Sequence, residues 1–169
     1  MGGLTFNQMI LYYFFASFSW HTLGGQGFGN ISREVYEGTL TRYLVYPLSF
    51  LGHRFVANCA SSSMRILQLF IGLLVFSFIF PEEATKIEAV NLILGLSLVL
   101  TAATVYFLML AAVELIAFWM DNVWTLAVML RFIVSFLSGI VIPLSLFPNW
   151  SQQIINMTPF PYLISYPVS

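Results

Sequence analysis

Charge is what this chain has least of. Only 8% of its 169 residues are charged, six basic and seven acidic, against about 25% in an ordinary soluble domain. A compact soluble fold could not cover its surface with so few. The chain is 59% hydrophobic with a mean hydropathy of +0.88, and the two together describe an integral membrane protein. No basic tract is present and the net charge is −1, so nothing points to a nucleic-acid partner. Cysteine occurs once, at Cys59, which excludes an intramolecular disulfide framework and any multi-cysteine metal site. Cys59 reads as a small apolar helix residue. The opening MGGLTF has no basic n-region and is not expected to act as a secretory signal. Phe6 stands where the myristoylation pattern asks for Ser or Thr. No Walker A glycine loop occurs.

Long apolar runs are what is there. The first, Gln8 to Leu23, is short for a helix that must cross about 30 Å of hydrocarbon at about 1.5 Å per residue. Tyr12, Tyr13 and Trp20 suit its interfacial ends. The following GGQGFGN holds four of the eleven glycines and cannot continue a helix cheaply. Further spans are expected at 55–80, 89–120 and 125–146, joined by PEEATKIE (81–88) and the DNVW turn (121–124). The third span is longer than a bilayer needs, so it tilts or protrudes. The tail, 147–169, is semi-polar and rich in proline, and reads as a re-entrant or interfacial segment. The fold class is therefore all-α, a polytopic helical membrane protein with about four transmembrane helices. Arg33, Arg42, Arg54 and Arg65 gather around the first loop, whereas the second loop has one Lys and three Glu. Basic residues favour the cytoplasmic side, so residues 27–54 are expected inside and 81–88 outside.

Between the first two spans lies ISREVYEGTLTRYLVYPLS, Ile31 to Ser49. On a helical wheel Tyr36, Leu40, Tyr43, Leu44 and Pro47 share one side, while Glu34, Thr41 and Arg42 fall on the other. Gly38 predicts a kink or two short helices, with Thr39 capping the second. The segment is too short and too charged to span, so it should lie along the interface.

This segment resembles the signature of the permease subunits of type-2 ATP-binding-cassette exporters, in which an acidic stretch leads into Gly-Thr-Leu, a leucine and Pro-Ser. Here these are Glu34, Glu37, Gly38-Thr39-Leu40, Leu44, Pro47 and Ser49. AFWMDN, SGIVIPLSLFP and PFPYLISYP are similar to later elements of a subgroup of that family, in the same order. The resemblance implies a dimer, with either a second copy or a paralogue, and a separate cytosolic ATP-binding subunit. ATP and Mg would sit in that partner, and this chain would hold no cofactor. Residues 27–54 would carry the coupling helix, in a membrane expected to be the prokaryotic cytoplasmic membrane. Arg33, Glu34, Glu37, Gly38, Thr39, Leu40 and Arg42 would form the ATPase interface. The four spans would be family helices two to five, so the family's first and sixth helices have no counterpart among them.

Charges in or near the spans are functional suspects by default. Arg65 either snorkels to the headgroups or faces a substrate path or an acidic lipid headgroup. Glu114 should sit near the cytoplasmic interface, paired with Arg65 or Arg131. Asp121 should cap the helix that follows it, and Arg131 should snorkel. His21 and His53 show no compact metal-binding spacing. Ser61-Ser62-Ser63 reads as small-residue helix packing. Two other readings stand beside the permease: a membrane-embedded lipid-modifying enzyme, for which no acid–base constellation is recognisable, and a non-catalytic scaffold subunit.

Overall fold

The computed structural model describes residues 6–24, 29–45, 49–81 and 88–168. Pro47 of the signature lies outside them. Among the described residues every regular element is helical.

The first helix, α1 (Phe6–Leu23), is followed by the short α2 (Asn30–Tyr36) and a 3-10 turn over Thr39–Leu44. The long α3 (Phe50–Ile79) leads away from this end and α4 (Ala89–Glu114) returns to it, tightening into a 3-10 turn at Leu115–Phe118. Then come α5 (Trp124–Leu137), a 3-10 turn at Leu144–Leu146, α6 (Asn149–Asn156), a 3-10 turn at Pro161–Leu163, and α7 (Ser165–Val168).

α3 begins five residues before the apolar run that announces it. Ser49 takes an extended conformation and its hydroxyl accepts the Gly52 N–H at 3.2 Å, which satisfies one of the amides a helix start leaves open. The helix ends at Phe80, just before Pro81. Its 30 residues reach about 45 Å, more than the roughly 30 Å hydrocarbon layer. Both α3 and the run from Ala89 to Phe118 are long and apolar enough to cross a membrane. In α3 only 17% of the most apolar stretch is buried, and Phe70, Ile71, Leu74 and Phe78 face outward. A core helix of a soluble protein would hide those side chains, so this surface is built for lipid.

α4 is the central helix. It packs against α1, α3, α5 and the returning tail, around a core of Ala16, Leu23, Val99, Ala102, Tyr106, Val134, Leu163 and Ile164. Small residues at Ala16, Ala102 and Ala103 let α1 and α4 approach closely.

The fourth span differs from expectation. α5 stops at Leu137 rather than running to 146. At 14 residues it covers about 21 Å, short of the hydrocarbon thickness. The cause is Gly139, whose φ of 88° is in the left-handed region. Its carbonyl accepts the Tyr12 hydroxyl at 2.8 Å, which pins the turn against α1. Beyond it the chain folds back, so that the 3-10 turn at Pro161–Leu163 packs on α4 and α7 packs on both α1 and α4. A cleft of about 830 Å³ remains between α1, the first half of α4 and the returning segment, with Glu88 and Asn91 at its edge.

Candidate functional site

The site is the end of the molecule where α2 meets the α4–α5 turn. A helix of seven residues is too short to hold itself together in isolation, and α2 has no capping side chain of its own, since Gly29 stands at the N-cap. Its open amides are answered from another element. Glu114, the last residue of α4 and 2% exposed, accepts the Gly29 N–H through Oε1 at 2.7 Å. Its Oε2 accepts the N–H of Ile31 at 2.7 Å and of Ser32 at 3.1 Å. A carboxylate there also meets the positive end of the α2 dipole. The described contacts of Glu114 are thus to backbone amides, in place of the expected ion pair with Arg65 or Arg131.

The other end of α2 is held through Tyr36. Its hydroxyl donates to the Met120 carbonyl at 3.3 Å and accepts the Val123 N–H at 3.0 Å. Both partners lie in the α4–α5 turn, so the end of α4 grips α2 at its start and the turn that follows grips it at its end.

Gly38 divides the segment, as its sequence predicts. With φ at 66° it reverses the local backbone and starts the 3-10 turn. The cap is Gly38 itself and not Thr39, whose hydroxyl lies 3.5 Å from the Glu34 carbonyl instead. The break also changes which faces coincide. Glu34, placed on the outer face by a continuous wheel, is buried, at 7% exposure. Its Oε1 accepts from Arg42 at 3.2 Å, from the Tyr43 hydroxyl at 3.1 Å and, most closely, from Arg54 at the start of α3. Arg54 also donates to the Asn30 carbonyl at 3.3 Å. Burial without such partners would be costly for either charge. Glu34 therefore organises the segment from inside and does not present itself to a partner.

What faces outward is a different set. Arg33 and Glu37 pair at 2.7 Å across one turn of α2, both well exposed. Hydrogen bonding to Glu37 holds the Arg33 guanidinium above its ordinary pKa. Gly38, Thr41 and Arg42 are exposed beside them, and Thr39 and Leu40 are half-buried. Of the residues expected at an ATPase interface, Arg33, Glu37, Gly38 and Arg42 share the open surface.

The remaining charges are dispersed. Arg65 on α3 is half-buried beside the end of α1, where a Cβ on Gly24 would lie 3.8 Å from its Nη1. Arg131 stacks over the Trp20 ring, 5.4 Å from its centroid. Asp121 is exposed and is not the cap of α5. Val123 stands at the N-cap without a capping side chain, and just before it Asn122 Oδ1 accepts the Trp124 N–H at 3.0 Å. Sequence reasoning passed over Arg54 and the Tyr36 hydroxyl. For Arg54 the signal was a cation flanking the acidic signature. For Tyr36 there was none, because its partners are main-chain atoms.

Neither the curated proteins nor the solved structures compared with this chain contain a match. A family model described as ABC-2 family transporter protein matches residues 1–169. That match takes in the apolar helices, the α2 segment and the folded-back tail alike, and the chain belongs to the ABC-2 transporter family.

Proposed function

We propose that this chain is a permease subunit of an ATP-driven exporter, worked by a separate cytosolic ATPase that docks on the segment from Ile31 to Leu44. The observation that carries this is the two-sidedness of α2. One side is fastened to the α4–α5 turn through Glu114 and Tyr36. The other side offers Arg33, Glu37 and Arg42 in the open. A docking element for a soluble partner needs that division. Exposed charges provide recognition and set the rate of encounter, and an anchored inner face passes on the force.

In this reading ATP and its Mg bind to the partner, and two permease chains, identical or paralogous, form one translocation unit. Closure of two ATPase subunits over ATP presses on α2 and shifts the helices between two packings. Cargo and nucleotide must each differ in affinity between those packings for the two events to be linked. The cleft of about 830 Å³ behind α4 has room for the apolar part of an amphipathic cargo. Arg33 and Arg42 between α1 and α3, with Arg54 and Arg65 on α3, orient α2 towards the cytoplasm, and the membrane in this reading is the prokaryotic cytoplasmic one. An enzymatic reading through Glu114, Asp121 or a histidine has less support, since Glu114 is engaged in holding α2.

The test is co-purification of the protein from its own membranes, in mild detergent and after cross-linking. A stoichiometric nucleotide-binding subunit is expected, with at least about tenfold less recovered from Glu37→Arg. Undiminished recovery from that variant, with ATP hydrolysis unchanged, would remove α2 from the interface.

A further inference from the structure

We infer that Glu114 is a positioning residue that makes α2 a rigid extension of α4, so that a displacement of α2 reaches the membrane through the α4–α5 hairpin. This rests on the docking reading above and adds the route that the force takes.

The argument begins with connectivity. α2 is joined by the chain to α1 on one side and, through the 3-10 turn, to α3 on the other. The pairing of Glu34 with Arg54 reinforces the link to α3. α4 is the neighbour that the chain does not join to α2, and it is also the helix on which α1, α5 and the tail pack. Any device that moves the bundle as a whole has to take hold of α4 across a gap in sequence.

Glu114 meets that need. It lies 82 to 85 residues from its amide partners and is nearly inaccessible to solvent. Its charge is wrongly placed for its own helix, because a carboxylate at a helix C-terminus faces the negative end of the dipole. It is rightly placed for α2. An anionic group that opposes its own element and completes another is explained by the junction. Three charge-assisted hydrogen bonds from one carboxylate fix direction as well as distance. Tyr36 adds a second fixed point on the same hairpin, so α2 can neither slide nor pivot independently of it.

The experiment uses the complete transporter with its ATPase in lipid nanodiscs, and nucleotide as the probe. The exposed Cys59 is replaced by Ser. Spin labels are placed at Ile71 on α3 and Leu98 on α4, both exposed. ATP with vanadate is expected to shift the distance distribution between them. In Glu114→Ala the ATPase should remain bound, while the nucleotide-driven shift in population falls at least about fivefold, the low end of typical coupling factors. Glu114→Asp, which keeps the charge, should recover part of the shift. Tyr36→Phe, at a residue 46% exposed and so tolerant of change, should weaken it without Glu114 being touched, and carries the test if Glu114→Ala does not fold. A full shift in Glu114→Ala, or in Tyr36→Phe where that variant carries the test, overturns the inference. So does loss of the ATPase from Glu114→Ala, which would make Glu114 part of docking. Failure of the docking reading itself looks different: Glu37→Arg would then retain the ATPase.

Discussion

Arg54→Met isolates the charge cluster that holds the segment from Ile31 to Leu44 together. In the native protein the Arg54 side chain is 17% exposed and Glu34's is 9% exposed. Removing the guanidinium leaves a buried carboxylate with only Arg42 and the Tyr43 hydroxyl as partners. Breaking a buried pair costs about 3–5 kcal/mol. The lower figure applies here, because two partners remain and because Glu34 Oε2 and Arg54 Nε make no hydrogen bond even in the intact cluster. The cost falls on local opening of the α2 segment rather than on the bundle, since the long helices pack elsewhere. Hydrogen exchange at the amides of Ile31 to Leu44 is the direct assay. A loss of about 3 kcal/mol should speed it by about 100-fold, with the amides of α4 unaffected. Combining Arg54→Met with Glu34→Leu removes both charges and fills the space, and should return exchange to within about tenfold of the parent rate. Unchanged exchange in Arg54→Met, or a double variant worse than the single, would show that the cluster does not hold the segment.

Two further outcomes are expected. Gly139→Ala forces a side chain onto a φ of 88° and brings its Cβ to 2.9 Å from the Tyr12 hydroxyl, so thermal unfolding in detergent should shift down by about 1–3 kcal/mol, whereas Tyr12→Phe, which only removes the bond to Gly139, should lose about 1 kcal/mol. Asn122→Ala should cost about 1 kcal/mol in the same assay and Asp121→Ala next to nothing, because the Asn122 side chain accepts the first amide of α5 whereas Asp121 is exposed.

The parts of the fold legible in the sequence are those set by continuous composition. α3 and α4 follow from long apolar runs with few charges, and the break at Gly38 from a residue that disfavours helix. The end of α5 was hidden because Gly139 sits in the apolar run SGIVIPL, where hydropathy continues although the backbone turns. Glu34 was misplaced for a related reason. A wheel assumes one unbroken helix, and a single left-handed residue at Gly38 is enough to bring Tyr43, from the wheel's opposite side, back onto Glu34. Glu114 illustrates a deeper limit. An acid near the membrane suggests a cation as its partner, but main-chain amides leave no trace in a sequence, and these come from 82 to 85 residues away.

That separation also has a consequence for biosynthesis. α2 emerges from the ribosome well before Glu114 has been translated. At about 5–20 residues per second the interval is about 4 to 17 seconds. During that time the amides of Gly29, Ile31 and Ser32 lack their acceptor, and the short helix has nothing to close its first turn. The segment is completed only once α4 has inserted and brought its last residue back to the same side. A nascent chain stalled before that point carries the sequence of α2 without its junction to α4.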